Sequence, residues 1–168
     1  NLLTGIDRPS QGLVDVCGSS LHKLKEEQLS IWRGANVGIV FQFFQLLPSL
    51  TLLQNILLPM DFVAKIPKRQ RLERARHLLE LVGLAEHTKH LPSQVSGGQQ
   101  QRAAIARELA NEPPLIVADE PTGNLDEETA DAVFKLFLQL RQQGKTLVMV
   151  THNEALAQSA SRRISIHS

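Results

Sequence analysis

Three short apolar runs limit what this chain can fold into. Val37-Gly38-Ile39-Val40-Phe41, Leu115-Ile116-Val117-Ala118 and Leu147-Val148-Met149-Val150 show no alternation of polar and apolar residues. A strand wetted on one face alternates, whereas a strand covered on both faces reads as a continuous run. Stretches of helical spacing separate these runs. The spacing predicts helices over Lys25–Arg33, over Pro67–Val82, over Gln99–Ala110 and over Glu127–Gln142. Leu72, Ala75, Leu79 and Val82 share one face of the second, with Pro67 suited to its first turn and Gly83 to the position after its end. Gly12–Val16 reads as a short strand. The expectation is an α/β fold with a parallel sheet covered on both faces.

The 168 residues correspond to about one domain. With 42% hydrophobic and 21% charged residues, the chain has the composition of a folded domain and not of a disordered one. A formal net charge of +1 gives no global attraction to nucleic acid or an anionic membrane, so no nucleic-acid partner is expected. The basic run Lys68, Arg69, Arg71, Arg74 and Arg76 is expected to form a solvated helix face. Val37–Val63 is interrupted by Gln42, Gln45, Pro48, Gln54, Asn55, Pro59 and Asp61, too often for a membrane-spanning helix. No signal peptide is visible. The single cysteine, Cys17, is expected to be buried or half-buried, with no catalytic role. His87 and His90 lack further metal ligands nearby and are expected on the surface.

In open α/β sheets, ligands bind beyond the carboxyl ends of the strands. Three predicted strand ends carry polar groups here: Gln42, Asp119-Glu120 and Thr151-His152. Adjacent strand residues face opposite ways, so Asp119 and Glu120 should differ in role. One could hold a hard cation while the other orients a water; a turn or a helix cap is the alternative use of such a pair. Ser96-Gly97-Gly98-Gln99 stands directly before a predicted helix. Glycines there free backbone N–H groups to approach an anion, and Ser96 makes an N-cap.

Four stretches occur in order: Val95-Ser96-Gly97-Gly98-Gln99-Gln100-Gln101-Arg102, Leu115 to Thr122, Gly123-Asn124-Leu125-Asp126, and Thr151-His152. Together they resemble the nucleotide-binding domain of ATP-binding cassette (ABC) transporters. Phe41 to Pro48 resembles that family's glutamine loop, and with Ala118 to Asp126 it looks most like the subfamily serving lipoprotein release and macrolide export. The resemblance implies a P-loop NTPase-type, mostly parallel core with an inserted helical subdomain. It divides the chain into a core segment 1–42, a helical subdomain 43–98 and a second core segment 99–168. It implies ATP and Mg²⁺ as cofactors. It implies Asp119 and Gln42 near the metal, Glu120 polarising the attacking water, and His152 contacting the γ-phosphate. Ser96, Gly97, Gly98 and Gln99 would contact nucleotide held by a second ATPase subunit, and Asp126 would cross that dimer interface. Phe43, Phe44, Leu46 and Leu47 would either pack within the helical subdomain or dock a membrane permease. The resemblance implies a peripheral protein on the cytoplasmic face of the membrane.

A phosphate-binding loop reads Gly, four residues, then Gly-Lys-Ser/Thr. The candidate Gly144-Lys145-Thr146 fails, because Gln139 stands where the first glycine is needed. Gly144 is better read as the stop after the preceding helix. Asn1-Leu2-Leu3-Thr4-Gly5 resembles the end of the helix that follows the family's phosphate loop. The expectation is therefore a partial fold, cut short near Asn1 and near Ser168, with an unpaired sheet edge and exposed apolar surface. Two other readings stay open. One is a non-transport relative acting on DNA or ribosomes, although no long insertion lies between Gln42 and Ser96. The other is a non-catalytic module.

Overall fold

The structure, a computed structural model, describes residues 1–165, apart from the side chain of Ala155. Asp15–Val16 (β1) and Ser19–Ser20 (β2) form a small antiparallel hairpin. The first helix is Glu26–Asn36 (α1), followed without a loop by the strand Val37–Val40 (β3). Three helices come next: Leu52–Val63 (α2), Lys68–Leu81 (α3) and Gly97–Glu108 (α4). The strand Leu115–Asp119 (β4), the helix Glu127–Gln142 (α5), the strand Thr146–Val150 (β5) and the short helix Glu154–Gln158 (α6) complete the order.

The three apolar runs pair as expected, in a parallel sheet of order β3-β4-β5. Register aligns Val40 with Ala118 and Asp119 with Val150, so all three carboxyl ends lie at one rim. The two faces differ in cover. Val40, Ile116 and Ala118 point into the main core, which Leu52, Ile56, Met60, Leu79, Ile105, Val133 and Phe137 fill from the helices. On the other face, Val37 and Leu115 meet Leu21, Leu29 and Trp32, but Ile39, Val117 and Val148 are only half-buried. Both faces are covered, as expected, one fully and the other in part. Exposed apolar surface and an open sheet edge, also expected, are present: Val150 is 59% exposed, and no described strand pairs with the outer side of β5.

The opposite edge is closed by a side chain. The Ile39 N–H donates to Oε2 of Glu108 at 3.1 Å. Gly38 permits this approach, since a Cβ there would lie 3.0 Å from the Glu108 carbonyl oxygen.

Several local expectations are met. Pro67 precedes α3; Gly83 and Gly144 stop their helices with φ of 70° and 83°. Residues 2–4 form a 3₁₀ turn ended by Gly5 at φ 65°.

Others need correction. α2 carries Pro59 inside it and was not expected as a helix. Leu72 is exposed, and Leu78 takes the buried place on α3 beside Ala75 and Leu79. The basic run is only partly a solvated face. Arg71 pairs with Asp61, and Arg74 donates to the Leu109 and Ala110 carbonyls and pairs with Glu112. Those bonds satisfy carbonyls that the end of α4 leaves free. Cys17 is exposed because it and Gly18, both at positive φ, form the two-residue tip of the β1–β2 hairpin. His87 and His90 are half-buried, with ring centroids 5.1 Å apart. The expected end of the cassette near Ser168 lies outside the described residues.

Candidate active site at the strand ends

Strand β4 ends at Asp119, and the chain then turns sharply because Glu120 adopts φ of 42°. This left-handed conformation is unfavourable for a residue with a Cβ by about 1–3 kcal/mol. Glu120 is therefore not a continuation of the strand, and its side chain is not fixed by strand alternation. The turn sends its carboxylate across to the end of β5. There the His152 N–H donates to Oε1 at 2.7 Å, and the Thr151 hydroxyl donates to Oε2 at 3.4 Å. The His152 imidazole Nε2 lies 3.6 Å from the same Oε1, while its ring is 99% exposed. An anchored carboxylate next to a free imidazole can accept a proton from a water and leave the ring available to an incoming anion.

Gln42 leaves β3 at the same level and sits over the turn after Glu120. Its Nε2 lies 3.3 Å from where a Cβ on Gly123 would be, and its carbonyl accepts from Asn124 Nδ2 at 3.3 Å. Asp119 is exposed at the rim. It lines a cavity of about 140 Å³ beside Asn1, Thr4, Ile39, Phe41 and Val117. Gln42, Asp119, Glu120 and His152 thus occupy one rim, as expected.

Ser96–Gln99 makes no described hydrogen bond to them. Ser96 caps α4: its hydroxyl accepts from the Gln99 N–H at 3.2 Å, and Gln99 Oε1 accepts from the Ser96 N–H at 2.8 Å. Gly98 is backed against Thr129, where an added Cβ would meet Cγ2 at 2.4 Å, and Gly97 lies over the Phe44 ring. The described hydrogen bonds of Ser96 and Gln99 reach only this cap and His87, not Glu120, Gln42 or His152. Asp126 caps α5 through the Thr129 N–H at 3.0 Å and the Thr129 hydroxyl at 2.8 Å, and these bonds hold its carboxyl below the usual range. Within the 43–47 segment, Phe43 and Leu47 are exposed, Phe44 leans on Gly97, and Leu46 packs on the core.

Among the described residues, no group of three His, Cys, Asp or Glu side chains could hold a metal ion by itself. Mg²⁺ needs no such cage, because it keeps several waters and takes one or two carboxylates beside substrate phosphates. The exposed Asp119 carboxylate, with the Gln42 side-chain oxygen at the same rim, fits that demand.

Sequence reading overlooked Gln101. It is fully buried and reaches the ends of both β3 and β4. The signal was present: on the face of α4 formed by Gln101, Ala104, Ile105 and Glu108, the two outer positions are polar.

The family described as ABC transporter matches residues 1–123, and the chain belongs to it. An ABC transporter ATP-binding protein of Thermotoga maritima is 50% identical over 153 residues, covering 91% of this chain and 65% of that relative. The lipoprotein-releasing system ATP-binding protein LolD of Bacteroides fragilis is 42% identical over 160 residues, covering 95% of the chain and 74% of LolD. The dimeric structure of the ATP-binding cassette MJ0796 in a post-hydrolysis state, bound to ADP and Pi, superposes with a TM-score of 0.84 at 40% identity. That superposition covers 94% of this chain and 70% of the cassette, so the chain spans about two thirds of the length of such relatives.

Proposed function

We propose that this chain is the greater part of a peripheral ATPase, on the cytoplasmic face of the membrane, that powers an export or lipoprotein-release permease. The observation that carries this reading is the convergence of Glu120 and His152 at one rim, 3.6 Å apart, beside Gln42 and Asp119. Phosphoryl transfer asks little covalent chemistry of a protein and much positioning. Glu120 orients the attacking water and takes its proton, held in place by the His152 N–H and the Thr151 hydroxyl. His152 offers its exposed imidazole to the terminal phosphate. Asp119 and Gln42 would hold Mg²⁺, which would supply charge neutralisation on the phosphates when bound. Ser96 and Gln99 spend their own N–H groups on the reciprocal cap, which leaves those of Gly97 and Gly98 at the start of α4 for an anion, with the Ser96 and Gln99 side chains beside them. That placement suits nucleotide held by a second copy, with Asp126 at the same interface. Phe43 and Leu47 form the exposed part of the permease contact, while Phe44 leans on Gly97 and Leu46 packs on the core. No described helix is long and apolar enough to cross a membrane.

The test is Glu120→Gln in the full-length protein. Removing a general base of this kind should lower kcat for Mg-ATP by roughly 10²–10⁴-fold with little change in KM. An unchanged kcat would overturn the assignment. The 168 residues contain no complete Gly, four residues, Gly-Lys-Ser/Thr pattern, so this stretch expressed alone should neither bind ATP tightly nor hydrolyse it.

A further inference from the structure

The ladder between β3 and β4 ends at Val40 and Ala118. Beyond it, the segments that carry Gln42 and Glu120 leave the sheet without backbone bonds to each other. Gln101, with no exposed surface, spans this gap. Its Nε2 donates to the Pro121 carbonyl at 2.8 Å and to the Phe41 carbonyl at 3.4 Å. An amide nitrogen has two hydrogens, and here each goes to a different strand end. Phe41 immediately precedes Gln42, and Pro121 immediately follows Glu120. The same side chain leaves Oε1 buried without a partner among the described residues. A methionine would fill this space without an unmet acceptor, so the amide is an unfavourable choice for packing alone.

The helix that carries Gln101 begins after the Ser96 cap and is held at its other end by Glu108, two turns beyond Gln101, through the Ile39 N–H. Buried Gln101 and half-buried Glu108 therefore both bind β3 or its extension.

We infer that Gln101 is a positioning residue that fixes Gln42 and Glu120 relative to each other and ties both to the helix beginning at Ser96. A shift of that helix then moves the two strand ends together. This rests on the reading that Gln42 and Glu120 act on a bound nucleotide. The bond network itself does not.

The experiment uses the full-length protein with Gln101→Met, which keeps length and loses both donors, and Gln101→Glu, which sets a carboxylate against two carbonyls. Expected for Gln101→Met is a kcat for Mg-ATP at least tenfold lower, with KM within threefold and a melting temperature within a few degrees. Amide hydrogen exchange at Gln42, Gly123 and Asn124 should accelerate at least tenfold while that of Ile105 stays as it was. Gln101→Glu should lose more kcat than Gln101→Met. A packing role predicts instead that Gln101→Met matches the wild type, and a kcat within twofold would overturn the inference. So would a loss of kcat accompanied by uniformly faster exchange. The wild-type protein gives a reading that needs no variant. The Gln101 side-chain amide protons should exchange at least a hundredfold more slowly than those of the exposed Gln142, and equal rates would end the proposal. Absence of Mg-ATP turnover in the wild type would refute the proposed function, while the exchange measurements would still decide the role of Gln101.

Discussion

Glu108 and Asp126 respond to pH in opposite senses, although both are carboxylates capping backbone N–H groups. Burial pushes the Glu108 carboxyl above its ordinary 4.5, against the Arg107 charge and the Ile39 N–H, which pull it down. The folded state then holds this proton more tightly than the unfolded chain, so the contribution is present below pH 4.5 and is lost as pH rises through the raised value. Glu108→Gln keeps an acceptor for Ile39 and cannot ionise. Its stability should therefore gain on the wild type between pH 4 and 7, and urea midpoints measured across that range check it. A constant difference would show that burial of the charge is not felt. Asp126, held low by Thr129, contributes above its ordinary 3.8 and loses that contribution as acid protonates it. At this scale, the sequence made legible whatever depends on neighbours in the chain: Ser96 as a cap, Gly83 and Gly144 as stops. It misplaced Cys17 and the His87–His90 pair, whose exposure depends on a hairpin tip and on packing against distant residues.

Helix α2 was hidden by its own composition. Twelve residues that are apolar nearly all round, with Pro59 inside, give no helical period to read. Two buried amides hold it in place. Asn55 accepts the Leu47 N–H and donates to the Leu47, Leu50 and Thr51 carbonyls, and Asn111 donates to the Pro59 carbonyl. A readable sign remained in Thr51 and Gln54, which form a reciprocal cap. Thr51→Ala should destabilise the protein by about 1 kcal/mol, and Thr51→Ser should restore most of it, as read from thermal unfolding. The segment before α2 divides the expected docking patch, since Phe43 and Leu47 are exposed and Leu46 is not. Phe43→Asp should lower affinity for the permease in a co-purification assay, and undiminished binding would exclude this surface.

The sheet, its order of helices and the rim that carries the site were legible because uninterrupted apolar runs and ordered motifs do not depend on which face of the sheet is covered. The unequal cover was not legible, because Ile39, Val117 and Val148 are as apolar as Val40 and Ile116. An exposed, unpaired strand is a template for association. The 168-residue chain should therefore self-associate as concentration rises, and Val150→Lys should suppress this in light scattering. The two flanks of the sheet are not equivalent, because Glu108 occupies the donor of Ile39 on β3 while no described residue guards β5 in this way. Growth of this sheet is thus directional. An additional strand, from this polypeptide or another, would find its open berth along β5, beside the very strand whose terminus leads to His152.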